Sequence, residues 1–154
     1  VSRREQIKMT PTEVREFLGE QRTAVVASIG RDNRPHMVPL WYVPEGDGLV
    51  SWTYESSQKV VNLRRLPQAT VLVEAGESYE ELRGVLSECD VEVVTDVEEI
   101  VRIGSAITER YTGSADVAVA ATQFVRAQAA KRVGLRFTPT HTTSWDHRKL
   151  GGTY

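Results

Sequence analysis

Several stretches of the chain gather side chains suited to holding a charged or planar ligand. In Ser56-Ser57-Gln58-Lys59, hydroxyls and an ammonium stand where a short helix is expected to begin. The free amides and partial positive charge of a helix N-terminus would complete a phosphate site there. An ordinary serine cap beside a surface lysine has the same residues. Upstream, Ser51 and Thr53 are two residues apart, so on a strand their hydroxyls share a side and suit ring carbonyls or a phosphate. A solvated strand face is the other reading of that pair. Further upstream, Val38-Pro39-Leu40-Trp41 interrupts a strand-like run with a residue that has no backbone donor. The strand must therefore be an edge or a bulge at Pro39, leaving backbone groups free to bond a planar heterocycle, with Trp41 and Tyr42 as an apolar wall. An edge whose proline only blocks aggregation is the other reading of this stretch. Finally, Ser144 to Gly152 collects Trp145, His147 and Arg148 near the C-terminus, suited to covering a groove or binding an acidic group, or to docking on the chain's own surface.

Other chemistries are disfavoured. His36, His141 and His147 have no helical partner at metal-ligand spacing, so no metal site is expected. No glycine-rich nucleotide loop of the dinucleotide or Walker type is present. Cys89 is the only cysteine, which excludes an internal disulfide and fits a reducing, cytoplasmic setting. The net charge of −2 offers no basic face for nucleic acid. No apolar run approaches bilayer length, and Val1 to Lys8 lacks the apolar centre of a signal peptide. No catalytic acid or base stands out.

The elements that must position these residues follow from local patterns. The 154 residues suit one domain, with residues 1–9 as a flexible lead-in. Thr10-Pro11-Thr12-Glu13 is a helix start with a cap, a proline and a returning glutamate. Three strands are expected at Thr23 to Ile29, His36 to Val43 and Leu49 to Tyr54, joined by short turns into a meander. A short helix at Ser56 to Arg65 precedes a strand at Gln68 to Ala75. Tyr79 to Val94 reads as a long strand bent at Gly84. Helices are expected from Asp96 to about Arg110 and from Asp116 to Ala130, then a last strand from Lys131 to Pro139 and a tail over residues 140–154. The order predicts a mainly β chain with helices, an α+β small antiparallel barrel with helical caps.

The ordered set of segments resembles a known family. The run "GRDNRPHMVPLW" from Gly30 is similar to the early hairpin of the pyridoxamine 5′-phosphate oxidase-like split-barrel proteins. The run "SWTYESSQKVVNLRRLPQATVLVE" from Ser51 resembles their third strand, phosphate-binding serine and lysine, helix and next strand. The ending "TSWDHRKLGG" is similar to the branch that uses the deazaflavin coenzyme F420. The resemblance runs from about Thr10 to Gly152. It implies a six-stranded antiparallel split barrel, working as a homodimer with two cofactor sites across the interface. It also implies that Ser57 and Lys59 hold the cofactor phosphate. The backbone at Val38, Pro39, Leu40 and Trp41 would bond the ring edge, with Ser51 and Thr53 beside it. Trp145, His147 and Arg148 would come from the other subunit. The tail departs from the substrate-binding ending of true pyridoxamine 5′-phosphate oxidases, which points away from vitamin B6 oxidation and toward a reductase delivering hydride from reduced F420 to an electron-poor small molecule. The alternatives are an FMN-dependent oxidase or reductase on the same fold, and a non-catalytic protein that binds the cofactor or a tetrapyrrole.

Overall fold

The computed structural model describes residues 2–152. Val1, Thr153 and Tyr154, which the expected lead-in and tail include, lie outside the described residues. The chain runs α1 (Arg3–Ile7), α2 (Pro11–Glu20), β1 (Ala24–Ile29), β2 (Pro35–Leu40), β3 (Val43–Glu45), β4 (Gly48–Tyr54), α3 (Gln58–Arg65), β5 (Gln68–Ala75), β6 (Arg83–Val94), α4 (Val97–Thr112), α5 (Ala115–Ala120), α6 (Thr122–Ala129) and β7 (Arg132–Asp146). Short 3-10 turns lie at Tyr79–Glu81 and His147–Leu150.

Helix starts follow the caps that the sequence supplies. Thr10 and Glu13 form a reciprocal capping box at α2, and Asp96 accepts the Glu99 amide at α4. Gly113 ends α4 in the left-handed conformation at φ 70°. The expected lead-in is partly ordered: Ser2 caps α1 by accepting the Glu5 amide. The expected helix from Asp116 to Ala130 is two helices that meet at Ala121.

All strands join one antiparallel sheet, in the order β2-β1-β5-β6-β7-β4-β3. The expected meander is corrected here. The predicted strand from His36 to Val43 breaks at Trp41 and Tyr42, and its halves occupy opposite edges of the sheet. This is why there are seven strands rather than six. The break also closes the sheet. Laid flat, its edge strands would stand roughly 29 Å apart at ordinary strand spacing. The link from Leu40 to Val43 spans at most about 11 Å. The sheet must curl until its edges meet, and the Ser51 hydroxyl donates to the Trp41 carbonyl across that seam at 2.6 Å.

Inward-facing residues fill the barrel. Val26, Val71, Val73, Val85, Leu135 and Phe137 form its core, plugged by Phe17 and Leu18 of α2 and by Val60 and Leu63 of α3. A second apolar layer lies outside the barrel, where Ile103 and Ile107 of α4 cover Val50 and Trp52 of β4. Gly104 belongs to that contact: a Cβ there would collide with the Trp52 ring. The expected bend of β6 at Gly84 is a close approach instead, since Gly84 lies against the Trp145 ring, and the irregularity of β6 falls at Glu88/Cys89. The last strand does not end at Pro139 but runs on to Asp146, pairing with β6 through Trp145 and Gly84. Among the described residues no helix is long and apolar enough to cross a membrane.

Candidate functional site

Strand β4 carries the site. Leu49, Ser51 and Thr53 alternate toward the barrel interior and are buried, while Trp52 and Tyr54 face the other way. Register therefore sends the Thr53 hydroxyl toward α3, where it accepts a hydrogen bond from Lys59 Nζ at 2.8 Å. Lys59 is half-buried, and burial alone pulls its pKa below the ordinary lysine value. Among the described residues no carboxylate pairs with it. The nearby acid in sequence, Glu55, is held by Arg64 at 2.8 Å.

Ser57 stands at the N-cap of α3, one residue later than the expected helix start, yet its hydroxyl makes no cap bond. Its Oγ is buried without any hydrogen-bond partner. The first amides of a helix have no intrahelical acceptor, and at α3 backbone bonding begins with Val60 and Val61 donating to the Ser57 carbonyl. A half-buried ammonium, an orphaned hydroxyl and the free amides thus all belong to the start of α3, with Thr53 accepting from the ammonium. That donor set suits an anion, and an oxyanion such as phosphate would satisfy all of it at once. The helix itself is fixed from behind. Gln58 donates to Asn62 at 2.9 Å, and Asn62 donates to the buried Ser28 hydroxyl of β1 at 3.1 Å.

The other predicted residues divide into two groups. Val38, Pro39 and Leu40 lie on β2, which is an edge strand pairing only with β1. The proline thus sits where its missing donor breaks no ladder. Met37 and Trp41 are 60% and 58% exposed on this edge. The Trp41–Tyr42 backbone is less free than expected. Ser51 donates to the Trp41 carbonyl, and the Tyr42 amide donates to the Tyr111 hydroxyl at 2.9 Å. Ser51 is a buried clasp of the barrel seam rather than an open ligand group.

Trp145, His147 and Arg148 lie apart from Lys59 within the chain. Arg132 pairs with Tyr54 at one end of β7, and Trp145 pairs with Gly84 at the other. Their side chains are engaged locally. The His147 ring meets the Tyr79 carbonyl at 2.8 Å through Nδ1, and Arg148 forks onto Asp146 at 2.9 and 2.7 Å. Asp146 is 6% exposed, and the Arg148 hydrogen bonds hold its pKa below the usual aspartate value. Among the described residues no three metal-binding side chains gather.

Residue patterns gave no warning of a second feature, on the far side of β4. Trp41 stacks on Tyr111 with centroids 4.3 Å apart, and the Arg132 guanidinium lies over Trp52 and Tyr54 at 4.5 and 4.2 Å. Between them is an open cleft of about 460 Å³, lined on one side by Ile107, Thr108 and Thr112 of α4. Residues 111 and 132 are brought to Trp41 and Trp52 only by tertiary packing.

With this geometry in place, comparison with known proteins identifies the fold family. A sequence model of the family described as pyridoxamine 5′-phosphate oxidase matches residues 10–146. A conserved hypothetical protein, Rv2991 from Mycobacterium tuberculosis, has a crystal structure that is 38% identical, with a TM-score of 0.89 over 100% of this chain and 95% of that one. An F420 reductase is 20% identical, with a TM-score of 0.61 over 82% of this chain and 93% of that one. The heme storage protein HutZ from Vibrio cholerae is 17% identical, with a TM-score of 0.65 over 84% of this chain and 89% of that one. No curated protein matches. The family match spans the capping box of α2, the split edge strand, the Ser57–Lys59 cradle and all of β7, and on that extent the chain belongs to the pyridoxamine 5′-phosphate oxidase family.

Proposed function

We propose that this protein is a deazaflavin-dependent oxidoreductase, binding coenzyme F420 and reducing an electron-poor small molecule. The observation that carries the reading is that the start of α3 holds both the orphaned Ser57 hydroxyl and a half-buried Lys59 ammonium with no carboxylate partner among the described residues. Both costs are relieved by a bound phosphate, which a cofactor of this kind supplies. The resemblance to an F420 reductase and the C-terminal "TSWDHRKLGG" favour the deazaflavin over FMN.

The residues then have separable roles. Lys59 and Ser57 hold the phosphate, and Thr53 keeps the ammonium in place. The open edge at Val38, Pro39 and Leu40 offers backbone groups to a ring, while Trp41 shields it from water. When bound, the reduced deazaflavin supplies a hydride. The working unit in this reading is a homodimer, because Trp145, His147 and Arg148 reach a site containing Lys59 only from a second copy. Exposed Met37, Tyr54 and Val61, on the elements that carry the site, give such an interface apolar area. The reading places the protein in the cytoplasm, where a lone thiol such as Cys89 stays reduced.

The test is a fluorescence titration of the ligand-free protein with F420 and, separately, with FMN. Tight F420 binding with weak FMN binding supports the proposal. Lys59→Ala is expected to weaken that binding by roughly 1–3 kcal/mol, the range for a lost charge-assisted bond. Preference for FMN moves the protein to flavin chemistry on the same cradle. Binding of neither overturns both, and hemin titration then checks the carrier reading that the likeness to HutZ suggests.

A further inference from the structure

We infer that the cleft between β4 and α4 is a second binding site, one that takes a planar conjugated molecule bearing a carboxylate. It is separate from the phosphate cradle, and of the residues given to the cofactor only Trp41 also borders it. Thr53 faces Lys59 on one side of β4, whereas Trp52 faces the cleft on the other.

Three features define what fits. The walls are flat and aromatic: the Trp41–Tyr111 stack is nearly parallel, at 11°. Trp52 is held in place by Gly104, where any side chain would collide with the ring. Flat, stacked rings favour a planar ligand over a flexible one. The volume of about 460 Å³ is in the range of small-molecule sites.

The polar groups set the charge. Thr108 and Thr112 donate to helix carbonyls at 2.9 and 2.6 Å, and the single Tyr111 O–H is taken up by the Arg22 carbonyl, with the Tyr42 carbonyl also within reach. Arg132 is different. Its guanidinium lies over two rings, makes no hydrogen bond or ion pair among the described residues, and has a buried Nε without a partner. No acidic residue lines the cleft. Arg132 as a whole is half-buried, but leaving its buried Nε–H without an acceptor is costly. A carboxylate, which only accepts, is the simplest group that satisfies it.

The experiment uses the full chain, labelled with ¹⁵N and observed at its indole N–H signals, with 2-naphthoate and its neutral counterpart 2-naphthalenemethanol as probes. The expected result is a naphthoate-dependent shift of the Trp41 and Trp52 signals. Trp145, packed on Gly84 elsewhere, is the internal control and stays still. Arg132→Gln should weaken naphthoate roughly tenfold or more while leaving the alcohol unchanged. Arg132→Lys, which keeps the charge, guards against loss of fold and should retain part of the affinity. Lys59→Ala should leave naphthoate binding intact, so a failed cofactor titration does not touch this site. Equal affinity of Arg132→Gln for naphthoate, loss of naphthoate in Lys59→Ala, or silent Trp41 and Trp52 signals each overturns the inference.

Discussion

Lys59 is folded into surroundings that give its ammonium one hydroxyl and no counter-charge. A base with a depressed pKa is at a disadvantage in the folded state below that pKa. The disadvantage disappears as pH rises past the ordinary lysine value, where the unfolded chain is neutral too. Lys59→Met is therefore expected to raise the melting temperature of the ligand-free protein at neutral pH, while abolishing affinity for a phosphate-bearing cofactor. Scanning calorimetry with and without ligand reads both effects, and a lower melting temperature in the ligand-free variant would contradict this account. Cys89 shows the same physics in a different group. It is buried, and burial with the nearby Asp90 raises its pKa to about 11. At pH 7.5 almost no thiolate forms, so a thiol reagent should label the native protein far more slowly than the urea-unfolded chain. The spacing of Ser51, Thr53, Ser57 and Lys59 was readable in advance because strand and helix periodicities are local. That Ser51 clasps the seam while Thr53 steadies the lysine was not, since both depend on which segment lies opposite.

Among the elements, α4 depends most on a single position. Gly104 lets the helix settle onto Trp52, and Trp52 in turn forms one wall of the aromatic cleft. Gly104→Ala forces the ring or the helix to move and should cost about 1–3 kcal/mol, despite the better helix propensity of alanine. Urea denaturation measures it; a variant as stable as the parent would mean that the contact is slack. Helix starts were legible from Thr10 and Asp96 because a cap is a contact over three residues. The break at Trp41–Tyr42 was not. Pro39 signalled an edge, correctly, but nothing local indicates that the chain then crosses to the opposite edge of the sheet.

For the molecule as a whole, closure and the C-terminal segment are the decisive features. Asp146 ends β7 and caps the turn that follows, accepting from the Arg148 amide as well as its guanidinium. Its lowered pKa means that this bond stabilises the fold above the ordinary aspartate range and is lost as pH falls through the depressed value. The protection of amides at residues 147–150 against hydrogen exchange, relative to their intrinsic rates, should thus fall as pH drops through that depressed value. Asp146→Asn should remove about 2 kcal/mol at neutral pH, the scale of charge-assisted bonds. The proposed homodimer predicts a sedimentation mass twice that of the 17.2 kDa chain at micromolar concentration. A monomer there would deny Lys59 any contribution from Trp145, His147 and Arg148 of a second copy.

The chain's own order of residues determined the helix caps, most strand positions, the edge character of Pro39 and the pairing of a serine and a lysine at one helix start. Each rests on interactions within a few residues, or on an alternation that any strand must show. Only the tertiary structure decided that the two halves of one strand would close the barrel. It also decided that the apparent tail would be strand up to Asp146, and that Trp41, Trp52, Tyr111 and Arg132 would meet. Those outcomes depend on register and sheet order, which are set by summed burial of distant apolar faces rather than by any local signal.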